Sequence, residues 1–208
     1  MKFYLSSYLF GSETEKLQSM RPAGNNRVGY VPNARDFTGA DPLRFAQRNA
    51  SDIAGLEALG LRAEMLDLRR YFGRQEELRN KLEQLGMLWV SGGNVFVLRQ
   101  AMALSGLDDI VQELQTKEDF LYGGYSAGCC VLSPSLTTYA MVDKPEDTPY
   151  EGHNKVLWDG LAILPFAFLP HYRSEHPESA DVEKEVQKCI EQKVLFKAFR
   201  DGEVLIVE

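Results

Sequence analysis

The chain has 208 residues, 44% hydrophobic and 25% charged, with a formal net charge of −7. That length holds one domain with a sizeable core, and the acidic balance argues against nucleic acid or an anionic membrane surface as the main partner. No run reaches the ~18 apolar residues of a membrane span, and the apolar stretch near the start is too soon interrupted for a secretory leader.

In chain order, residues 2–7 and 27–32 read as strands. Asp41 and Pro42 open a helical pattern that ends at Gly60, an N-cap, a first-turn proline and a closing glycine in the expected places. LRAEMLDL reads as a third strand, residues 74–85 as a helix, and MLWVSGGN as a fourth strand running into glycines. Residues 95–103 and 107–115 read as helices before the fifth strand, FLYGGYS. Residues 138–159, with Pro145, Pro149 and Gly152, read as a long loop. LAILPFAFLPHY returns to a buried strand ending at His171, and the next helix sets Val182, Val186 and Ile190 on one stripe. VLFKAF and EVLIVE read as a hairpin about Arg200-Asp201-Gly202. Strands alternating with helices predict an α/β domain over residues 1–208, with a mainly parallel sheet between helices.

Such sheets bind ligands beyond the carboxyl ends of their strands. Ser91-Gly92-Gly93-Asn94, Gly124 to Gly128, and Pro170-His171-Tyr172 all fall there. Ser126, two residues after Gly124 and two before Gly128, fits a tight strand-to-helix turn that lifts a nucleophilic hydroxyl clear of the sheet; a capping serine fits the same five residues. His171 is the histidine at a strand end and the candidate base, whereas His153 lies in the loop and His176 opens a polar helix. The SGGN glycines let main-chain N–H groups approach a developing oxyanion; the segment is neither GxGxxG nor a P-loop. Cys129, Cys130 and Cys189 form no disulfide framework and no zinc-ligand spacing. They read as reduced thiols of a cytoplasmic protein, with no metal and no cofactor implied.

SGGNVFVL, GGYSAGCC, LPHY and RDGEVLIVE, in that order, resemble the corresponding blocks of the peptidase E family of aspartyl dipeptidases and cyanophycinases. The resemblance implies a three-layer, class I glutamine-amidotransferase-like (flavodoxin-like) fold and a serine peptidase acting on short peptides or a peptide-like small molecule. It implies Ser126 as nucleophile, His171 as base, and Gly93 with the N–H of Ala127 as oxyanion hole. The family's acid, a glutamate before a glycine, falls on Asp201 here, with Glu203 as the alternative. The family's dipeptidases carry an arginine in the helix after the histidine. The matching stretch offers Val182 and Glu183 instead, so Asp-X dipeptides are expected to be poor substrates. Asn94 and Arg173 are the substrate-binding candidates.

Two rival readings remain open. An α/β-hydrolase esterase would take its acid between serine and histidine, from Asp143, Asp147 or Asp159. A binding protein on an amidotransferase-like scaffold would keep the cleft without turnover.

Overall fold

In the computed structural model, which describes residues 1–208, five parallel strands follow one another along the chain. They are β1 (Lys2–Ser6), β2 (Arg27–Val31), β3 (Arg62–Met65), β4 (Met87–Val90) and β5 (Leu121–Tyr125). Side chains alternate across the sheet with period two. Leu88 and Val90 enter one core with Phe3, Leu5, Phe96 and Phe168. Met87 and Trp89 enter the other with Tyr4, Tyr30 and Leu56. Two cores on opposite faces make this a three-layer sandwich, as expected. β4 and β5 are buried along their whole length, which is why they read as near-continuous apolar runs.

The connecting helices are α1 (Thr14–Ser19), α2 (Pro42–Ala58), α3 (Gln75–Leu82), α4 (Val95–Ser105) and α5 (Leu107–Leu114). Two more follow β5: α6 (Ala127–Cys130) and α7 (Ser179–Gln192). α2 starts as its sequence predicts, with the Asp41 carboxylate accepting from the Leu43 and Arg44 N–H groups. It ends where Gly60, at φ +79°, lets the Leu61 N–H reach back to the Leu56 carbonyl.

The last third departs from the sequence reading. The predicted terminal hairpin does not form. Residues Phe196–Ala198 (β7) pair in parallel with Ala167–Leu169 (β6) in a separate two-stranded sheet, while Val204–Val207 (β8) runs antiparallel on β1. The 200–203 turn is present, closed by a bond from the Glu203 N–H to the Arg200 carbonyl. Its two arms part because β1 offers an open edge, and because Phe199 stacks on Phe168 at 4.3 Å. The strand predicted over 161–172 shrinks to β6, since the N–H groups of residues 161–164 bond instead to carbonyls of residues 131–133. Ile190 is 57% exposed; the buried stripe of α7 is Val182, Glu185, Val186 and Cys189. A glutamate at a core position is invisible to a hydrophobic pattern.

Candidate active site

The carboxyl ends of β4 and β5 bring two glycine-rich segments together at one edge of the sheet. Ser126, the residue after β5, has φ 48° and ψ −118°, a strained region for a residue with a Cβ. The turn is held by its main chain: the Ser126 N–H donates to the Ser6 carbonyl, and its carbonyl accepts from the Cys129 and Cys130 N–H groups at 2.8 and 2.9 Å. Two residues on, Gly128 passes so close to β4 that a Cβ there would lie 2.3 Å from the Val90 carbonyl oxygen. The Ser126 hydroxyl makes no hydrogen bond to the protein. It lines a cleft of about 430 Å³ together with Tyr8, Gly93, His171 and His176.

Gly93 sits at φ +147°, and a Cβ on it would meet the Ala34 carbonyl oxygen at 2.3 Å, so only glycine fits. The main-chain N–H groups of Gly93 and Ala127 have no acceptor in the fold. Both residues border Ser126 in a small cavity beneath the cleft. Two free donors beside a strained serine can receive a negative oxygen.

His171 follows β6 at φ 61°, almost fully buried. Its Nδ1 lies 2.7 Å from Asp201 Oδ1. An ionised carboxylate only accepts, so Nδ1 carries the proton and Nε2 keeps its lone pair. Burial, then the neighbouring His176, lower the His171 pKa to about 4 against the opposing pull of Asp201. The imidazole is therefore neutral at pH 7 and able to accept a proton. Ser7, not singled out in the sequence, fixes this pair. Its Oγ accepts from the His171 N–H at 2.8 Å and donates to Asp201 Oδ1 at 3.0 Å. The hint was two serines at the carboxyl end of a strand. His171 and Ser126 line the same cleft without a hydrogen bond between them; such contacts tighten when substrate arrives.

His176 stacks on His171 with ring centroids 3.7 Å apart and planes within 8°, and Tyr8 packs edge-on against both. Donor atoms of His171, His176 and Glu178 lie within 4.8 Å of one another. Lone pairs of parallel rings lie in parallel planes, so the two imidazoles do not converge on one ion without a ring turning.

Asp201, not Glu203, meets His171; the Glu203 carboxylate accepts from the Arg200 N–H at 2.7 Å and closes its own turn. Asn94 lies outside the cleft. Its side chain caps α4 through the Phe96 and Val97 N–H groups and donates to the Lys144 carbonyl, so its polar atoms are occupied. Arg173 also points elsewhere. The segment is not extended, with φ 49° at Arg173, and its side chain, 59% exposed, lies over Tyr172 and toward Glu183. Cys129 and Cys130 are buried thiols whose pKa values burial raises. Of the rival acids, Asp143 accepts from the Val95 N–H and Asp147 from Thr38, while Asp159 bridges to Ser135; none bonds His171.

The opposite wall of the cleft, unforeseen, is α2. Arg44 and Arg48, one turn apart, line it without an ion-pair partner. Beneath them Arg35 is buried against Asp52 at 2.7 Å and bonds the hydroxyls of Tyr30 and Tyr125, which anchors the residue preceding Ser126.

The model of peptidase family S51 matches residues 7–208. An uncharacterized peptidase of Listeria monocytogenes is 32% identical over 119 residues, 57% of this chain and 55% of that protein. A Drosophila melanogaster protein named as an alpha-aspartyl dipeptidase is 33% identical over 91 residues, 44% of this chain and 35% of that protein. These matches thus span about half the length of the curated relatives, or less. A Listeria monocytogenes structure described as a peptidase E superposes with a TM-score of 0.73 at 24% identity, covering 100% of this chain and 98% of that one. A peptidase from an acI-B1 Actinobacterium gives 0.67 at 15%, covering 100% and 83%. At those identities the two structures speak for the shared fold alone.

Proposed function

The chain belongs to peptidase family S51, and from that premise we propose that it hydrolyses short peptides, or a peptide-like amide, by acyl transfer through Ser126. The observation that carries this reading is the 2.7 Å contact between His171 Nδ1 and Asp201, which leaves Nε2 as a neutral base in the wall of the cleft that Ser126 lines. As Ser126 Oγ attacks the carbonyl carbon, Nε2 takes its proton. The carbonyl oxygen becomes an oxyanion facing the free N–H groups of Gly93 and Ala127. Collapse of the tetrahedral intermediate breaks the C–N bond, and the imidazolium gives its proton to the leaving amine. Water, deprotonated by the same nitrogen, then cleaves the acyl-serine. Asp201 holds the imidazole tautomer and stabilises its cation. The acid follows the histidine in sequence, which favours this reading over the α/β-hydrolase order.

Arg44 and Arg48 support a substrate that ends in a carboxylate, as a short peptide does. Arg173 lies outside the cleft and the helix after His171 offers Glu183, so neither supplies the arginine that the family's dipeptidases carry in that helix, which supports substrates other than Asp-X. A fluorophosphonate probe tests the nucleophile. One adduct is expected on the native protein and none on Ser126→Ala, read by intact mass. An unlabelled native protein would leave a binding module as the better account.

A further inference from the structure

Three segments far apart in the chain meet at one hydroxyl. Ser7, the residue after β1, is fully buried, and its N–H donates to the Glu203 carbonyl at 3.0 Å, which pins the end of that strand to the last turn. Its Oγ has one proton and two lone pairs to place. A lone pair accepts from the His171 N–H at 2.8 Å, where the chain leaves β6 with a positive φ. The proton can go to Asp201 Oδ1 at 3.0 Å or to the Phe199 carbonyl at 3.3 Å. The carboxylate is the nearer and the charged acceptor, so it receives the proton.

Asp201 Oδ1 thus takes both the Ser7 hydroxyl and His171 Nδ1–H, while Oδ2 has no partner in the fold. The Asp201 side chain is 24% exposed; its main chain is held by an N–H that donates to Ser174 Oγ at 2.8 Å. A carboxylate turns about its last torsion in a broad, two-fold well, and the hydroxyl on Oδ1 selects one orientation. We infer that Ser7 is a positioning residue for the reaction: by fastening Asp201 Oδ1 it keeps the His171 proton on Nδ1, and so leaves Nε2 free to take the proton of Ser126. The inference rests on the hydrolytic reading of Ser126, but the positioning itself can be read without turnover. Ser7 does not line the cleft, so its hydroxyl acts on the reaction through Asp201 and His171. Its effect is therefore conditional on the carboxylate. Once Asp201 is gone, Ser7 has no acid left to orient.

A double-mutant cycle tests this with the fluorophosphonate probe, because the rate of adduct formation on Ser126 reports how well its base activates it. Ser7→Ala is expected to slow labelling at saturating probe roughly tenfold to a hundredfold, since a small misplacement of a reacting group is costly. In Asp201→Ala the same substitution should change the rate by about twofold or less. Ser7→Ala also leaves the buried His171 N–H without an acceptor. Ser7→Cys, which differs from the native chain by one atom and donates only weakly, is measured beside it. Circular dichroism identifies the folded variants. Native labelling rates in a folded Ser7 variant, or an equal fold loss in both backgrounds, would overturn the proposal. The second measurement is the proton resonance of His171 Nδ1–H, assigned by its loss in Asp201→Ala. It is expected to be sharp in the native protein and broadened by exchange in the folded Ser7 variants. A resonance equally sharp in those variants would also overturn the proposal. Broadening in a protein whose Ser126 is never labelled would keep the positioning and sink the hydrolytic reading. Labelling that does not depend on Ser7 would do the reverse.

Discussion

Glu185 should make the protein less stable as pH rises, and replacing it by glutamine should reverse that. Burial, reinforced by the nearby Asp143, pushes the Glu185 pKa from 4.5 up to about 8 in the fold. An acid raised in this way holds its proton in the native state over a range where the unfolded chain has released it. Its favourable contribution is complete below pH 4.5 and is lost progressively as pH climbs toward about 8. Every pH unit between those two values is worth about 1.4 kcal/mol, so the loss over that range is of order 3–4 kcal/mol. Glutamine fills the same space and does not titrate. The stability difference between Glu185→Gln and the native protein, measured by urea denaturation, is therefore expected to grow by about 2–4 kcal/mol between pH 5 and pH 8 in favour of the variant. A difference that is the same at both pH values would refute the reasoning, because it would mean that Glu185 ionises freely in the fold.

Asp201→Asn should lower kcat by roughly 10²–10⁴, with KM little changed, while Glu203→Gln, which touches only its own turn, should leave turnover near native. The reverse ranking in steady-state assays would hand the orienting role to Glu203. His171 must be neutral to act, so kcat/KM should fall only as pH drops toward about 4. His176→Phe keeps a stacked ring but removes the charge that depresses His171, so the acid limb of the pH profile should move upward. It should stay below 6.5, because burial is the larger cause. An acid limb that does not move on this substitution would show that His176 has no electrical influence on the base.

Much of the site was legible because the chemistry leaves marks on short segments. Ser126 stands two residues from Gly124 and Gly128, and the fold needs both glycines where the chain turns against Val90. Asp41, Pro42 and Gly60 marked the ends of α2 because capping is a matter of local hydrogen bonds. The parallel sheet followed from the alternation of apolar strands with helices, which fixes the order of elements along the chain. What joins distant segments left no such mark. The expected hairpin failed because β8 pairs with an edge strand almost 200 residues away, and a turn constrains direction without choosing a partner. Asn94, read as a ligand contact, is consumed by the start of α4, and Arg173 is turned outward by positive φ angles that no local pattern disclosed. Ser7 gains its place between His171 and Asp201 only when the first strand, the end of β6 and the last turn meet. Glu185 looks in sequence like one more charge on a polar helix. It is the packing of α7 over the residues around Asp143 that strips it of water, because burial belongs to the assembled surfaces and not to the residue.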